Sequence, residues 1–562
     1  MHKRPYVRCP HLSQTMFICV LFSFAAIIMK VAVIGAGASG LTAIKCCLDE
    51  GLEPTCFERS DDIGGVWRFT HEVEDGRASI YESVVSNTSK ELMCYSDFPY
   101  PENFPNYLHN SKMLEYYRMY VDHFGLLKYI QFKTVVLSVQ KCSDFASTGR
   151  WSVTTEKEGT QENVIFDAVM VCSGHHSEPH FPLDSYPGIK QFKGQYFHSQ
   201  EYKNPTEYKG KRVVIIGMGN SASDIAVELS RTAAQVFLST KRGAWVIRRV
   251  SDNGYPSDIL HNRRFYIWMR NTLPSDLVMW ITEKKFNQWF DHANYGLQPT
   301  DRTQFKEPLF NDDLPSRITC GSVLVKTSVR KITETAVQFE DGTVEENIDV
   351  IIFATGYNYS FPFLDASVIK IDSSRTYLYK NIIPPNLEKA TLGILGLIQP
   401  LGPIMPTAEL QARWITRIFK GLCRFPPKNE VMDDIEKDRK IFIKRYGTTR
   451  ENRLQVEFIE YLDSLASDIG VKPNIWYLFL TDPLLAMALC FGPCTPAQFR
   501  LTGPGKWPQA RKQVMTTWDR IIKSTKTRTV KSKGPRFVTA TRLLAALCLV
   551  VLLLSIFVYQ SK

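Results

Sequence analysis

The chain has no cysteine framework, no internal repeat and no low-complexity tract, and it lacks acidic residues at its C-terminal end. Each absence removes a class of protein. Its thirteen cysteines are odd in number and scattered, and none stands in C-x2-C spacing. Cys490 and Cys494 form C-x3-C, and Cys46 and Cys47 are adjacent. Neither arrangement has the spacing of a zinc or dithiol site, so no metal site is expected. A reducing environment with mostly buried thiols fits better than a disulfide-stapled secreted fold. The missing repeat argues against solenoid architectures. No acidic residue follows Asp519, whereas nine Lys and Arg do. With Lys3, Arg4 and Arg8 these account for twelve positive charges against a net charge of +11. Residues 9–519 are therefore close to neutral, and a nucleic-acid-binding body is not expected.

What is present fits a folded protein of several domains. The chain has 562 residues, 44% of them hydrophobic and 22% charged, too long for one core and too apolar for disorder. A greasy run, LLAALCLVVLLLSIFVY (Leu543–Tyr559), lies just before the C-terminus with basic residues on one flank. Phe537, Val538 and Ala540 lengthen it, so residues 537–559 read as a C-terminal transmembrane anchor with the basic side cytosolic. A buried core helix is the alternative, and the lack of any polar face counts against it. A second run, Met16–Ile28, follows a basic lead and on its own passes for a signal sequence. Lys30 alone separates Met29 from the strand that begins at Val31, which leaves no slack between a membrane segment and a folded domain. Residues 1–28 are expected to be an upstream extension, dispensable for catalysis.

Two glycine loops carry the chemistry. VAVIGAGASGL reads as a buried strand (Val31–Ile34), then Gly35, Gly37 and Gly40 in G-x-G-x-x-G with Ser39 between them, then a helix with Leu41, Ile44 and Leu48 on one face. A second strand follows and ends at Glu58. In this context Gly35 makes the turn, Gly37 admits a pyrophosphate, Gly40 allows close packing, and Glu58 can accept from a ribose hydroxyl. The pattern recurs in RVVIIGMGNSASDIAVEL, with Gly217, Gly219 and then Ala222 in the third position, after Asn220 and Ser221. The strand after this second loop ends in Lys241-Arg242 rather than an acid. Those cations attract a 2′-phosphate that a carboxylate would repel; a solvated turn is the plain alternative. The first loop thus suits FAD and the second NADPH.

Between the loops, FKGQYFHSQEY places Phe192, Gly194, His198 and Tyr202 in F-x-G-x-x-x-H-x-x-x-Y. This is the identifying sequence of the flavin-containing monooxygenases, and the chain resembles the microsomal, drug-oxidising, dimethylaniline N-oxide-forming members of that family. DDIGGVWRF, SVVSNTSKELMCYSDFP, VCSGHHSEPHFP, DVIIFATGY and GLIQPLG match in order, so the resemblance spans about residues 29–562. Baeyer–Villiger monooxygenases are related but carry Trp followed by Pro or Asp where this chain has Tyr202-Lys203. Disulfide reductases need a cysteine pair beside the flavin.

The resemblance implies an α/β fold of two nested Rossmann-like domains, a helical insertion and a C-terminal membrane helix. The expected units are an FAD domain over 29–180 that resumes over 350–445, and an NADPH domain over 181–349 with its insertion near 243–320. A covering region over 446–536 and the anchor over 537–559 complete the order. It also implies that NADPH reduces FAD and that dioxygen then forms a flavin C4a-hydroperoxide, whose electrophilic oxygen goes to a soft amine nitrogen or sulfide sulfur. No Ser-His-Asp or paired-carboxylate machinery is required, and no clear case of either is visible. Asn87 in VVSNTSK matches the family asparagine beside flavin and nicotinamide; read without the family it is a turn residue or a glycosylation acceptor. Gly65, Val66, Trp67, Thr355, Gly356 and Gln399 are implied cofactor neighbours, and His198 is expected to shape the link between domains. The implied setting is the endoplasmic-reticulum membrane with the catalytic body cytosolic; the oligomeric state is not legible in the sequence, a homodimer being one option. Two other readings stay open: Baeyer–Villiger oxygenation or NADPH oxidation releasing hydrogen peroxide, and a non-catalytic nucleotide sensor.

Overall fold

The computed structural model describes residues 28–74, 76–300, 308–369, 377–446 and 454–528. The extension before residue 28 and the greasy run over 537–559 lie outside the described residues. Among the described residues no helix is long and apolar enough to cross a membrane.

Two five-stranded parallel sheets form the frame. In the first, Lys30–Ile34 is central, with Glu53–Phe57 and Ile130–Gln131 on one side and Ala168–Val171 and Leu392–Ile394 on the other. Val31, Ala32 and Val33 are fully buried because both faces are covered, and a strand covered on both faces reads as a continuous apolar run rather than an alternation. Helix Ala38–Asp49 sends Leu41, Ala43 and Ile44 onto one face. On the other, Ala32, Ile34, Val169 and Val171 meet Trp151, Val153 and Phe166 of a three-stranded antiparallel sheet (Thr134–Lys141, Trp151–Lys157, Thr160–Phe166). Each Val, Leu, Ile or Phe side chain removed from water here contributes about 1.5–3 kcal/mol.

The second sheet runs in the order Val323–Lys326, Gln235–Ser239, Arg212–Ile216, Val350–Phe353, Gln195–His198, again all parallel. Between its strands Gln235–Ser239 and Val323–Lys326 the chain inserts the helices Ser257–His261, Arg264–Thr272, Ser275–Asn287 and Leu314–Thr319. One expectation is corrected here. Val350–Phe353 was expected to open the return to the first domain at residue 350, but it is an inner strand of the second sheet, paired with Arg212–Ile216. The return comes with Leu392–Ile394, which pairs with Ala168–Val171. A buried parallel strand has the same apolar run in either sheet, so its pattern does not say which sheet takes it.

Helix Ile404–Phe419 is buried along almost its whole length, with Trp414 at 0% exposure, and helix Phe458–Ile469 seals it through Leu462, Leu465 and Ile469. The chain ends its described course with the helices Ile475–Thr481, Pro483–Phe491, Ala510–Met515 and Thr517–Lys523. All ten described cysteines are free thiols, seven of them buried, as the scatter of their positions implied.

Candidate cofactor cleft and active site

Each glycine loop joins the end of a central strand to a helix N-terminus, where backbone N–H groups and the helix dipole favour a phosphate. In the first loop two glycines are forced by packing. Gly35 has φ +101°, and a Cβ there would lie 2.8 Å from the Cys172 carbonyl oxygen. A Cβ on Gly40 would fall 1.8 Å from the Gly35 carbonyl oxygen, so only glycine lets helix and loop close. Gly37 differs: a Cβ there would meet only the backbone of Gly65, at 3.5 Å. The turn Gly65–Trp67, with Val66 at its centre, therefore faces the loop, tied to it by the Gly64 amide donating to Ala36 at 3.1 Å. Glu58 is 7% exposed; one oxygen accepts the Ala36 amide at 2.7 Å and the other accepts the Ser60 amide and hydroxyl at 2.8 Å. The carboxylate braces the loop and keeps lone pairs for a ribose hydroxyl. The returning chain closes the far side, since a Cβ on Gly396 would lie 2.5 Å from the Ser39 hydroxyl. Gln399 stands three residues on in a short strand whose amide donates to Leu454 at 2.6 Å.

The second loop repeats the logic. Gly217 has φ +129°, and a Cβ there would meet the Ala354 carbonyl oxygen at 2.3 Å. Gly219, at the N-terminus of helix Asn220–Leu229, has nothing within 4 Å of its Cβ position. No protein atom requires glycine there; the open space is a cradle of the kind a pyrophosphate fills. Ala222 is fully buried under the helix, while Ser221 faces out. Asn220 uses its side-chain oxygen on the Phe310 amide at 2.9 Å, so that oxygen holds the inserted segment. Lys241 is exposed and Arg242 half-buried just past the strand Gln235–Ser239, whose end accepts the Gly217 amide at 3.0 Å.

Asn87 sits in an irregular turn. Its side-chain oxygen accepts from Arg249 Nη2 at 2.7 Å. A guanidinium can only donate, so the carboxamide oxygen is the atom that faces Arg249 and the NH2 edge turns away from it. Arg249 is fixed in turn by Asp312, which accepts its backbone amide at 2.9 Å and its Nη1 at 3.4 Å. Two residues after Asn87, Ser89 donates its amide and hydroxyl to one oxygen of Asp258, at 2.7 and 2.8 Å. Burial holds the Asp258 carboxyl up at about 6, against the pull of those donors. Ser89, the third residue of the Asn-Thr-Ser sequon, is fully buried and bonded, while Asn87 itself is half-buried.

Thr355 and Gly356 lie where the chain crosses between the sheets. The Thr355 hydroxyl donates to the His180 carbonyl, and Gly356 O accepts from the His180 amide at 2.8 Å and faces His198 Nε2 at 3.0 Å. His198 is 1% exposed, and burial pushes its imidazole down to about 4, so it is a neutral strut across the crossover.

With that geometry in place, likeness to known proteins can be judged. The family described as flavin-binding monooxygenase-like matches residues 28–561. The chain belongs to that family. Flavin-containing monooxygenase 2 of Homo sapiens and dimethylaniline monooxygenase (N-oxide-forming) 2 of Macaca mulatta are each 58% identical to it over 505 residues, 90% of this chain and 94% of theirs. Flavin-containing monooxygenase 1 of Canis lupus familiaris is 54% identical over 515 residues, 92% of this chain and 97% of its own. Among solved structures, S-allyl-L-cysteine S-oxygenase from Allium sativum shares the fold at TM-score 0.61 and 24% identity, covering 88% of this chain and 99% of its own. A cyclohexanone monooxygenase does so at TM-score 0.57 and 17% identity, covering 78% and 97%. The protein is a flavin-containing monooxygenase of the N-oxide-forming kind, with FAD and NADPH as cofactors and dioxygen as co-substrate.

In this monooxygenase the structure brings Gly35, Gly37, Ser39, Gly40, Glu58 and Gly65–Trp67 to one loop cluster, and Gly217, Gly219, Asn220 and Ala222 to another. Arg249, Asp312 and Asp258 are not marked out by any motif in the sequence. They lie in a segment read only as a helical insertion, and Arg249 is 162 residues from Asn87. The one signal was a run of charges, RRVSD, in a stretch otherwise rich in aromatics.

Proposed function

We propose that this flavin-containing monooxygenase oxygenates soft nucleophilic nitrogen and sulfur atoms of small molecules, with Asn87 as the catalytic residue. The observation that carries this is the Arg249–Asn87 bond, which spends the carboxamide oxygen on a donor-only partner and leaves its NH2 edge as a preorganised donor. When bound, FAD supplies the oxygen-activating chemistry, reduced by NADPH. The chain's own share is orientation. Gly37, Gly65, Val66 and Trp67 would line the flavin pyrophosphate, and Glu58 would take a ribose hydroxyl. Gly219, Asn220, Ser221 and Ala222 would hold the nicotinamide nucleotide at its pyrophosphate, and Lys241 and Arg242 would take its 2′-phosphate. Ser39, Thr355, Gly356 and Gln399 complete the walls. Asn87→Ala and Asn87→Asp should keep FAD yet release peroxide instead of product; assaying N-oxide, S-oxide and peroxide per NADPH consumed tests this. An unchanged yield of oxide per NADPH from a tertiary amine and a thioether would overturn the assignment.

The proposal assigns FAD binding to residues 29–180 with the returning strand Leu392–Ile394, and NADPH binding to the second sheet. It includes attachment to the endoplasmic-reticulum membrane through residues 537–559, with the body cytosolic. Support comes from the helix Ile475–Thr481 and the start of the next, where Trp476, Leu480 and Leu484 are 70%, 86% and 68% exposed. Such a patch suits the apolar side of a bilayer interface. Vesicle flotation of the full chain and of a chain ending at residue 528 tests it; equal flotation would count against the terminal anchor.

A further inference from the structure

The helix Thr517–Lys523 does more than close the C-terminal cover. It grips both segments that carry the Asn87–Arg249 contact. On the Asn87 side, Lys90 and Glu91 follow Ser89 and are 0% and 2% exposed. Arg520, 7% exposed, donates Nε to both Glu91 oxygens at 3.2 and 3.0 Å, and its Nη2 donates to the Tyr100 carbonyl at 2.6 Å. Lys90 Nζ reaches Glu91 at 2.8 Å and the Arg520 carbonyl at 3.3 Å. Asn106 ties the same pair of elements twice: its carbonyl accepts the Lys90 amide at 2.8 Å, and its side-chain amide donates to the Ile521 carbonyl at 3.0 Å. On the Arg249 side, Ile521 packs with Leu92 and Ile259 in one small core, and the Trp518 ring meets Tyr255 edge-on at 5.4 Å. Ile259 is the neighbour of Asp258, which holds Ser89.

A buried lysine and glutamate side by side are costly to desolvate, and two adjacent residues of one short helix cannot satisfy each other fully. Arg520 and Gln513, the latter donating Nε2 to Glu91 at 3.2 Å, complete the cluster from helices more than 400 residues away, and Arg520 supplies the only opposite charge that reaches Glu91 from there among the described residues. Asn87 has no regular secondary structure of its own. It hangs between Ser86, whose amide and hydroxyl bond the Leu108 backbone at 2.8 and 2.9 Å, and Ser89 on Asp258. We propose that Arg520 is a positioning residue for the oxygenation: through Glu91 and Lys90 it sets the turn that presents Asn87, so the C-terminal helix governs how much reducing power ends in product. This rests on the role proposed for Asn87.

The test uses the full-length holoenzyme and the variants Arg520→Met and Arg520→Lys. Arg520→Met should hold FAD and oxidise NADPH, while oxide formed per NADPH falls roughly tenfold or more and peroxide rises to match, as displacements of about 1 Å remote from the chemistry can cause. Arg520→Lys, which restores charge without the fork, should recover part of the yield. Amide exchange over residues 84–92 should quicken in both while exchange in the strand Lys30–Ile34 stays as it was. Should Arg520→Met not accumulate as holoenzyme, Asn106→Leu removes only the bond to Ile521 and takes the same readouts. Wild-type yield together with unchanged exchange over residues 84–92 overturns the proposal. Exchange that quickens with yield intact also overturns it, since the helix would then brace the turn without governing the reaction. If Asn87→Ala itself leaves the yield intact while Arg520→Met lowers it, the reading of Asn87 fails and the positioning role of Arg520 acts through another group of that turn.

Discussion

Replacing Gly219 by alanine separates what the second loop needs for folding from what it needs for NADPH. The residue has φ −100° and ψ −175°, an extended conformation open to any amino acid, and its Cβ position has no atom within 4 Å. Alanine stiffens the unfolded chain and is a poorer helix cap than glycine, two small effects of opposite sign, so stability should stay within about 1 kcal/mol of the parent. The new methyl would stand in the cradle at the helix N-terminus. Forcing a bound pyrophosphate past it costs about 1–3 kcal/mol, as overpacking of a fitted site does, or roughly 5- to 150-fold in the KM for NADPH. FAD content, read from flavin absorbance per polypeptide, should not change, because the first loop is untouched. Steady-state NADPH oxidation against NADPH concentration gives the KM, and thermal melting gives the control. An unchanged KM in a protein that melts normally would refute the assignment of this loop to the nucleotide. A lost fold would refute the reading of the space around Gly219.

Gly40→Ala is the opposite case: with its Cβ position 1.8 Å from the Gly35 carbonyl oxygen, the variant should be recovered without FAD or not at all, and a flavin-replete Gly40→Ala would be inconsistent with this packing. Lys241→Ala should raise the KM for NADPH and leave that for NADH alone, narrowing the preference roughly tenfold if a charge-assisted contact worth about 1.5 kcal/mol is lost; an equal change for both nucleotides would count against a 2′-phosphate contact. His198 is held near 4 by burial, below the ordinary 6.5, so its stabilisation is complete above about 6.5 and is lost as pH falls towards 4, at up to about 1.4 kcal/mol per pH unit. His198→Gln cannot titrate and should lose less melting temperature than the parent between pH 7 and pH 5, whereas parallel curves would refute a buried neutral imidazole.

The sequence by itself determined whatever rests on backbone constraints between near neighbours. Gly35, Gly40 and Gly217 stand where a Cβ would strike a carbonyl, and such a demand is met by one residue type at a set distance from a strand end. Glu58 and the pair Lys241-Arg242 stood out by their place just past the strand that follows each loop, a position read from local pattern alone. The scatter of thiols pointed to free, mostly buried cysteines without reference to any contact. Tertiary structure alone decided which sheet receives Val350–Phe353, because a strand buried on both faces carries one apolar pattern whichever neighbours flank it. It alone joined Arg249 to Asn87, Asp312 to Arg249, and Arg520 to Glu91. Those pairs are charged or polar side chains in segments far apart along the chain, and nothing local tells an arginine that will brace a turn from one that will face water. Their meaning comes from burial and from a partner, and both arise only when the two sheets, the inserted helices and the C-terminal helix have closed on one another.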